Sequence, residues 1–304
     1  MAHEDDGARR WVPRSELDDA CGERLGDAVL DGLWVAGALD GLRAPCVAIV
    51  GTRAPSDAAR RRARAIAEDV SHAGVCVVSG LALGIDGAAH EGALAAGAPT
   101  IGVLGGGHAH FFPPRNRELA ARITLAGGAV VSPFAPDVVP QPWQFLARNA
   151  IIAALADAVL VVEAAARSGA LNTAGHAADR GIPVLAVPGD VDRPKAAGCN
   201  ALIRDGATLV RDADDVLAAL PAHVAPRRTR RRRARSGADL ADRDAPPERR
   251  VLAALRDGAC DAGTLADRLQ AAPAELFPLL AELEVAGRIV AGAGGYMLAR
   301  EPRY

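Results

Sequence analysis

At 304 residues the chain is long enough for two domains, one of them able to bury a substantial core, and its apolar content of 50% against 3% aromatics means that small aliphatics build that core. A net charge of −2 by itself says nothing about nucleic acid, and the distribution of charge says more. Seven Arg lie within Arg227–Arg235 and leave the remainder acidic, so a phosphate site elsewhere must be local.

Residues 1–43 read as a reduced N-terminal helical extension, with a helical pattern over 15–30. From 44 to 220 the pattern alternates. Residues 46–50 form an apolar run ending in Gly51, the signature of a buried parallel strand. Helical periodicity follows over 58–72, a strand over 75–78, a helix over 86–96 and a strand over 100–104. Then come a helix over 115–126, a strand over 129–132, a helix over 143–155 and a strand over 158–162. The series closes with a helix over 168–179, strands over 184–187 and 208–210, and helices over 200–205 and 212–220. This alternation predicts an α/β fold with a Rossmann-like, mostly parallel sheet, whose ligands bind at the carboxyl ends of the strands. Residues 221–247 carry the Arg tract, lack apolar periodicity and read as a disordered, flexible linker. Residues 248–304 form a second unit, with helices over 249–257, 264–269 and 273–286 and a Gly-rich hairpin after Arg288, which suggests a winged helix.

Cys21, Cys46, Cys76, Cys199 and Cys260 are odd in number and lack a C-x-x-C pair, which argues against disulfides and zinc and for a reducing compartment. Residues 1–14 have no apolar stretch of signal type, and no run of 18 apolar residues occurs elsewhere. The expectation is a cytoplasmic protein with no membrane contact, no metal and no cofactor.

The strand-end loops carry the chemistry. Gly51-Thr52-Arg53 can aim backbone N–H groups at an anion, with Arg53 adding a bidentate phosphate contact; a plain βα turn with a surface Arg is the other reading. It is not G-x-G-x-x-G, so the dinucleotide fingerprint fails. In 79–86, Gly80 and Gly84 permit a tight turn and close backbone approach, Ser79 offers a hydroxyl, and Asp86 is placed to cap the next helix. After Gly105-Gly106-Gly107 comes Phe112-Pro113-Pro114-Arg115-Asn116, where Asn116 is read as a helix cap or a ligand contact. His108 and His110 read as solvent-exposed loop residues rather than metal ligands. Trp143 and Phe145 beside Arg148-Asn149 suit base stacking plus phosphate binding, or else pack in the core. Ser168-Gly169 through Thr173 opens a helix directly after a strand, an anion-binding arrangement, and Glu163 before it is an acid, a base or a loop tie. Pro188-Gly189 and Gly198 to Ile203 form a further loop-to-helix start. No Ser/His/Asp order emerges, so no catalytic residue is assigned.

In this order the motifs resemble the DNA-processing protein A family (DprA, also called Smf). The resemblance rests on Val50-Gly51-Thr52-Arg53, the 79–86 loop, Phe112-Pro113 with Asn116, Arg148-Asn149 with Ile151-Ile152, Glu163 with Ser168-Gly169 and Thr173-Ala174, Pro188-Gly189, and Gly198 with Asn200. It implies an extended Rossmann-like fold that binds and protects single-stranded DNA, helps load the RecA recombinase, forms homodimers and acts in natural transformation and recombination. It places Arg53 on the DNA backbone and sets the 79–86 loop and Arg148-Asn149 in one pocket, while the second unit resembles the winged-helix appendage of many members. Departures are Ala150 for the second Arg of an Arg-Asn-Arg pattern, Pro133 after Ser132 for the usual Glu, Phe112 for a Tyr, and an N-terminal helical domain absent or reduced to residues 1–40. The lost cation implies weaker DNA binding than the family norm.

Two other functions compete. A phosphoribohydrolase-type enzyme on a related fold requires a Pro-Gly-Gly-x-Gly-Thr-x-x-Glu loop, and the segment from Glu163 to Thr173 lacks it. A transcription regulator would read duplex DNA through the winged helix, whose 273–286 helix is acidic, with Glu275, Glu282 and Glu284.

Overall fold

Five consecutive apolar residues, Cys46–Val50, make a strand (β3) that is buried along its whole length, as a parallel strand covered on both faces must be. In the computed structural model, which describes residues 9–28, 31–224, 246–255, 261–269, 271–292 and 295–299, four similar strands surround it. These are β4 (Cys76–Ser79), β5 (Thr100–Val103), β6 (Ala129–Ser132) and β7 (Ala158–Val161), each buried throughout. β8 (Val184–Ala186) and β9 (Thr208–Leu209) extend one side. Cys46 pairs with Cys76 and Val47 with Ala158, both in parallel register. The chain therefore steps from β3 through β4 and β5 to β6, and returns to the other side of β3 with β7. That reversal makes the carboxyl end of β3 the switch point where a crevice opens.

β3 alternates as a pleated strand should. Cys46, Ala48 and Val50 point into one core and Val47 and Ile49 into the other. The first core is covered by α5 (Pro142–Ala154) and α6 (Gly169–Asp179). The second is covered by α2 (Asp57–His72), α3 (Ile85–Ala95) and α8 (Ala213–Ala219). α4 (Arg117–Leu125) and α7 (Ala197–Arg204) also belong to this unit.

Residues before β3 are not merely a helical extension. α1 (Arg14–Cys21) and a 3-10 segment over Gly22–Ala28 meet that expectation. They are flanked by β1 (Arg10–Pro13) and β2 (Gly32–Gly37), which pair antiparallel with each other, and β2 pairs with β6. Among the described residues the sheet thus has nine strands, in the order β1-β2-β6-β5-β4-β3-β7-β8-β9. Leu17, Leu25, Leu33 and Leu42 are fully buried in the first core, so this segment is part of the α/β unit.

The chain divides into two units, residues 1–227 and 228–304. The second holds α9 (Pro247–Ala254), α10 (Ala262–Leu269), α11 (Pro273–Val285) and a hairpin of β10 (Ile289–Gly292) and β11 (Gly295–Leu298). Val251, Leu265, Leu276, Leu280, Leu283 and Ile289 form its core, matching the expected three helices and wing. The Arg227–Arg235 tract and most of the expected linker lie outside the described residues. Among the described residues, no helix is long and apolar enough to cross a membrane and no cluster of three His, Cys, Asp or Glu side chains could hold a metal.

Candidate functional site

A cleft of about 300 Å³ opens at the carboxyl end of β3. Gly51, Thr52 and Arg53 reach it from the loop after β3, and Asp86 from the first turn of α3. Phe145, Arg148 and Asn149 reach it from α5, and Ser168, Gly169 and Thr173 from the start of α6. The other residues expected at the site are not in its lining. Ser79 is fully buried and donates its hydroxyl to the Ile49 carbonyl at 2.6 Å, tying β4 to β3. Gly80 and Gly84 shape the loop behind the cleft. Gly84 has φ +87°, and a Cβ there would stand 2.8 Å from the Arg53 backbone. Arg115 is exposed, away from the lining.

Two expected helix caps serve the loop instead. Asn116 occupies the N-cap position of α4, but its Nδ2 donates to the carbonyls of Leu81 and Ala82 at 2.9 and 3.0 Å. Asp86 turns back so that its Oδ2 accepts from the N–H of Gly80 at 3.1 Å and of Ala82 at 3.4 Å. Both hold a loop in which fully buried Leu81 takes φ +55°, a left-handed conformation uncommon for a residue with a Cβ.

Arg148 forms part of the cleft floor. It is 4% exposed, and its Nη1 donates to the carbonyls of Gly80 and Val103, each at 2.5 Å. Burial lowers its pKa to about 10, opposed by the Asp86 charge and assisted by Arg53. Burial likewise raises the Asp86 carboxyl, with Arg148 pulling it back. Among the described residues, Arg148 Nε is buried with no hydrogen-bond partner. Among the described residues that line the cleft, the exposed cation is Arg53, which stands 5.6 Å from the Phe145 ring centroid.

Glu163 takes the loop-tie role of its three readings. Its Oε2 accepts from the Ser56 N–H and its Oε1 from the Ser56 hydroxyl, both at 2.8 Å. Its carbonyl accepts from Thr52 N–H at 2.7 Å. Ser56 in turn caps α2, accepting from Ala59 N–H at 3.2 Å. On the opposite wall Ser168 caps α6, and Asn149 Nδ2 donates to Gly169 O at 3.3 Å and Asn172 Oδ1 at 3.1 Å. The Pro188-Gly189 motif is a brace. Asn200 exchanges hydrogen bonds with Gly189 at 3.0 and 3.1 Å, and Lys195 donates to the Ala54 carbonyl at 2.6 Å.

Gly105 and Gly106 make room for side chains, and Gly107 for the backbone of Ala135 and Pro136. A Cβ on Gly105 would lie 2.6 Å from the Phe145 ring, and one on Gly106 2.7 Å from Pro140. His110 is exposed as expected, but His108 is buried and its Nε2 lies 2.9 Å from the Val130 carbonyl. Ala150, where the resembled pattern has a second Arg, is half-buried and outside the lining. The apolar lining from Val50, Ala82, Leu146, Ile152 and Ala170 was not anticipated. For Ile152 a signal existed, because Phe145, Arg148, Asn149 and Ile152 fall at i, i+3, i+4 and i+7 on one helix face.

A family model described as DNA recombination-mediator protein A matches residues 27–221, and one described as DprA winged helix domain matches residues 235–295. Protein Smf of Escherichia coli (strain K12) is 39% identical over 269 residues, which are 88% of this chain and 71% of that protein. The solved structure of DNA processing protein A from Streptococcus pneumoniae superposes with a TM-score of 0.64 at 36% identity, over 70% of this chain and 75% of that one. DNA processing protein A from Helicobacter pylori, whose solved structure concerns a single-stranded DNA binding mode, gives a TM-score of 0.59 at 27% identity, over 69% of this chain and 94% of that one.

Proposed function

The chain belongs to the DNA recombination-mediator protein A family, and on that premise we propose that it is a single-stranded-DNA-binding protein of the cytoplasm rather than an enzyme. In this reading it protects incoming or processed single strands and helps load the RecA recombinase, as a homodimer, in natural transformation and DNA recombination. The observation that carries the proposal is Arg53, an exposed cation standing over the Phe145 ring at the mouth of the cleft. A phosphate contact beside a stackable ring is what a single strand offers a protein to grip. In the cleft floor the charge of buried Arg148 is offset by buried Asp86, so the phosphate contact falls to Arg53. This local arrangement suits a chain whose net charge is −2.

The hydrolase alternative needs a carboxylate free to act on a substrate, and both oxygens of Glu163 are engaged by Ser56. Release of free base from nucleoside monophosphates would revive it. The test of the proposed function is a gel shift with labelled oligo-dT, single-stranded and duplexed, at low and high salt. The expected result is a shift of the single strand that weakens with salt. No shift at low salt with protein in the micromolar range would overturn the proposal.

A further inference from the structure

The chain has five Phe, three Trp and two Tyr. Four of these rings gather around the strand ends in two edge-to-face pairs. Phe112 and Phe145 lie 5.8 Å apart, and Phe134 and Trp143 lie 5.9 Å apart at an interplanar angle of 89°. In each pair one ring is left largely in water, with Phe112 49% and Trp143 61% exposed. A chain this poor in aromatics has little reason to spend them on solvent, and large exposed rings beside a cleft mark a contact surface.

Both pairs adjoin the cleft. Phe145 is itself in its lining, and Trp143 lies one helical turn before Leu146, which is 52% exposed and also in the lining. The exposed ring of each pair is held by its partner ring, so little side-chain freedom is lost when a flat ligand lands on it.

Resting on the single-strand reading above, we infer that Trp143 and Phe112 are base-stacking platforms for nucleotides bordering the one in the cleft. Trp143 is backed by Phe134, and Phe112 by Phe145. The occupant is an unstacked nucleobase. Its chemistry fits because the cation within reach, Arg53, stands over Phe145 where the sugar-phosphate backbone enters. A duplex, whose bases are paired and stacked, cannot supply such faces, so the platforms select single strands.

The test measures fluorescence anisotropy at fixed salt, with oligo-dT and an oligomer of abasic sites bearing the same number of phosphates. Wild-type protein is expected to bind oligo-dT about ten-fold more tightly than the abasic strand. W143A and F112A should each cut that ratio to about two- or three-fold and leave abasic binding unchanged, while W143F keeps the preference. Tryptophan emission should be quenched by oligo-dT, and the quenching should be lost in W143F. Equal binding of both strands by wild type overturns this inference alone, and so does an equal loss on both strands in W143A, the pattern of a docking surface for protein. Binding of neither strand overturns the proposed function along with it.

Discussion

Asp86 and Arg148 bracket a single residue: Gly80 donates its N–H to Asp86 Oδ2 at 3.1 Å, and its carbonyl accepts from Arg148 Nη1 at 2.5 Å. The two side chains come from different helices, are 5% and 4% exposed, and between them hold the loop after β4 at the back of the cleft. Gly80 leaves no room for a side chain, since a Cβ there would sit 2.7 Å from Asp86 Oδ2 and equally close to the Arg148 guanidinium carbon.

The two charges attract without an ion pair within 4 Å, and each also satisfies buried backbone groups, so D86A and R148A should each destabilise by about 1–3 kcal/mol. Removing both takes away the charge as well as its partner. The double variant D86A/R148A is therefore expected to be less destabilised than the sum of the single variants, by about 1–3 kcal/mol. Urea unfolding of the four proteins measures the cycle. Strict additivity would show that the shared glycine does not couple the two groups.

His90 sets a pH limit on the fold. Its Nδ1 lies 2.9 Å from Thr100 Oγ1, and the Thr100 hydroxyl proton goes to the Val77 carbonyl at 2.6 Å. Nδ1 must then be the donor to Thr100, which leaves Nε2 bare, and among the described residues this nitrogen is buried without a partner. Burial first, and the Arg148 charge second, lower the pKa from 6.5 to about 3. The unfolded chain takes up this proton near 6.5 and the native one only near 3, so stability falls as pH falls between those values. The full window amounts to roughly 4–5 kcal/mol. Asp86 opposes part of this, because a raised carboxyl contributes most stability at low pH and loses it as pH rises. Urea midpoints should drop steadily from pH 7 to pH 4 in wild type and much less in H90Q. Equal pH slopes in the two would show that His90 does not set the limit.

The central strands and α5 were legible because both carry a strong local signal: uninterrupted apolar runs for β3 and β7, and helical periodicity through Phe145, Arg148 and Asn149. β1 and β2 were not. They are four and six residues long, lie on either side of a helix, and are strands because β2 finds β6, with Gly37 opposite Ala129. No local pattern encodes a partner so far along the chain. The site shows the same division. The residue types of Asp86 and Asn116 advertised capping, which is a local preference, but their acceptors and donors lie in the 80–82 backbone, which for Asn116 is 34 and 35 residues away. His108 reads as solvent-exposed in the sequence because its burial beside the Val130 carbonyl leaves no trace in the residues around it.

Arg53 is the side chain expected to lose DNA contact without loss of fold. It is exposed, so R53A should change stability by no more than about 0.5 kcal/mol. Removing one phosphate contact to a single strand should flatten the plot of log affinity against log salt by about 0.7. R53K should keep the slope yet bind more weakly than wild type, because a point charge cannot replace a planar fork at a phosphate. Titrations at several salt concentrations measure all three. A wild-type slope in R53A would place the phosphate elsewhere.

Glu163 gives the contrasting case, a residue that positions the loop without touching the strand. Its carboxylate takes both the N–H and the hydroxyl of Ser56, and its carbonyl takes the Thr52 N–H, so it fixes the loop of Arg53 at both ends. The Ser56 hydroxyl gives its proton to Glu163 and is thereby left to accept from Ala59, which completes the cap of α2. The Ser56 cap remains in E163A, but the Ser56 N–H and hydroxyl lose their charged acceptor, so E163A should lose about 2 kcal/mol. The freed loop must be ordered on binding, which should weaken affinity about five- to ten-fold. No phosphate contact is removed, so the salt slope of E163A should equal that of wild type, unlike that of R53A. E163Q should fall between E163A and wild type, because its amide oxygen can still accept one of the two Ser56 protons. A flattened slope in E163A would mean that Arg53 had left the strand altogether, and the loop tie would then be a condition of contact rather than of its strength.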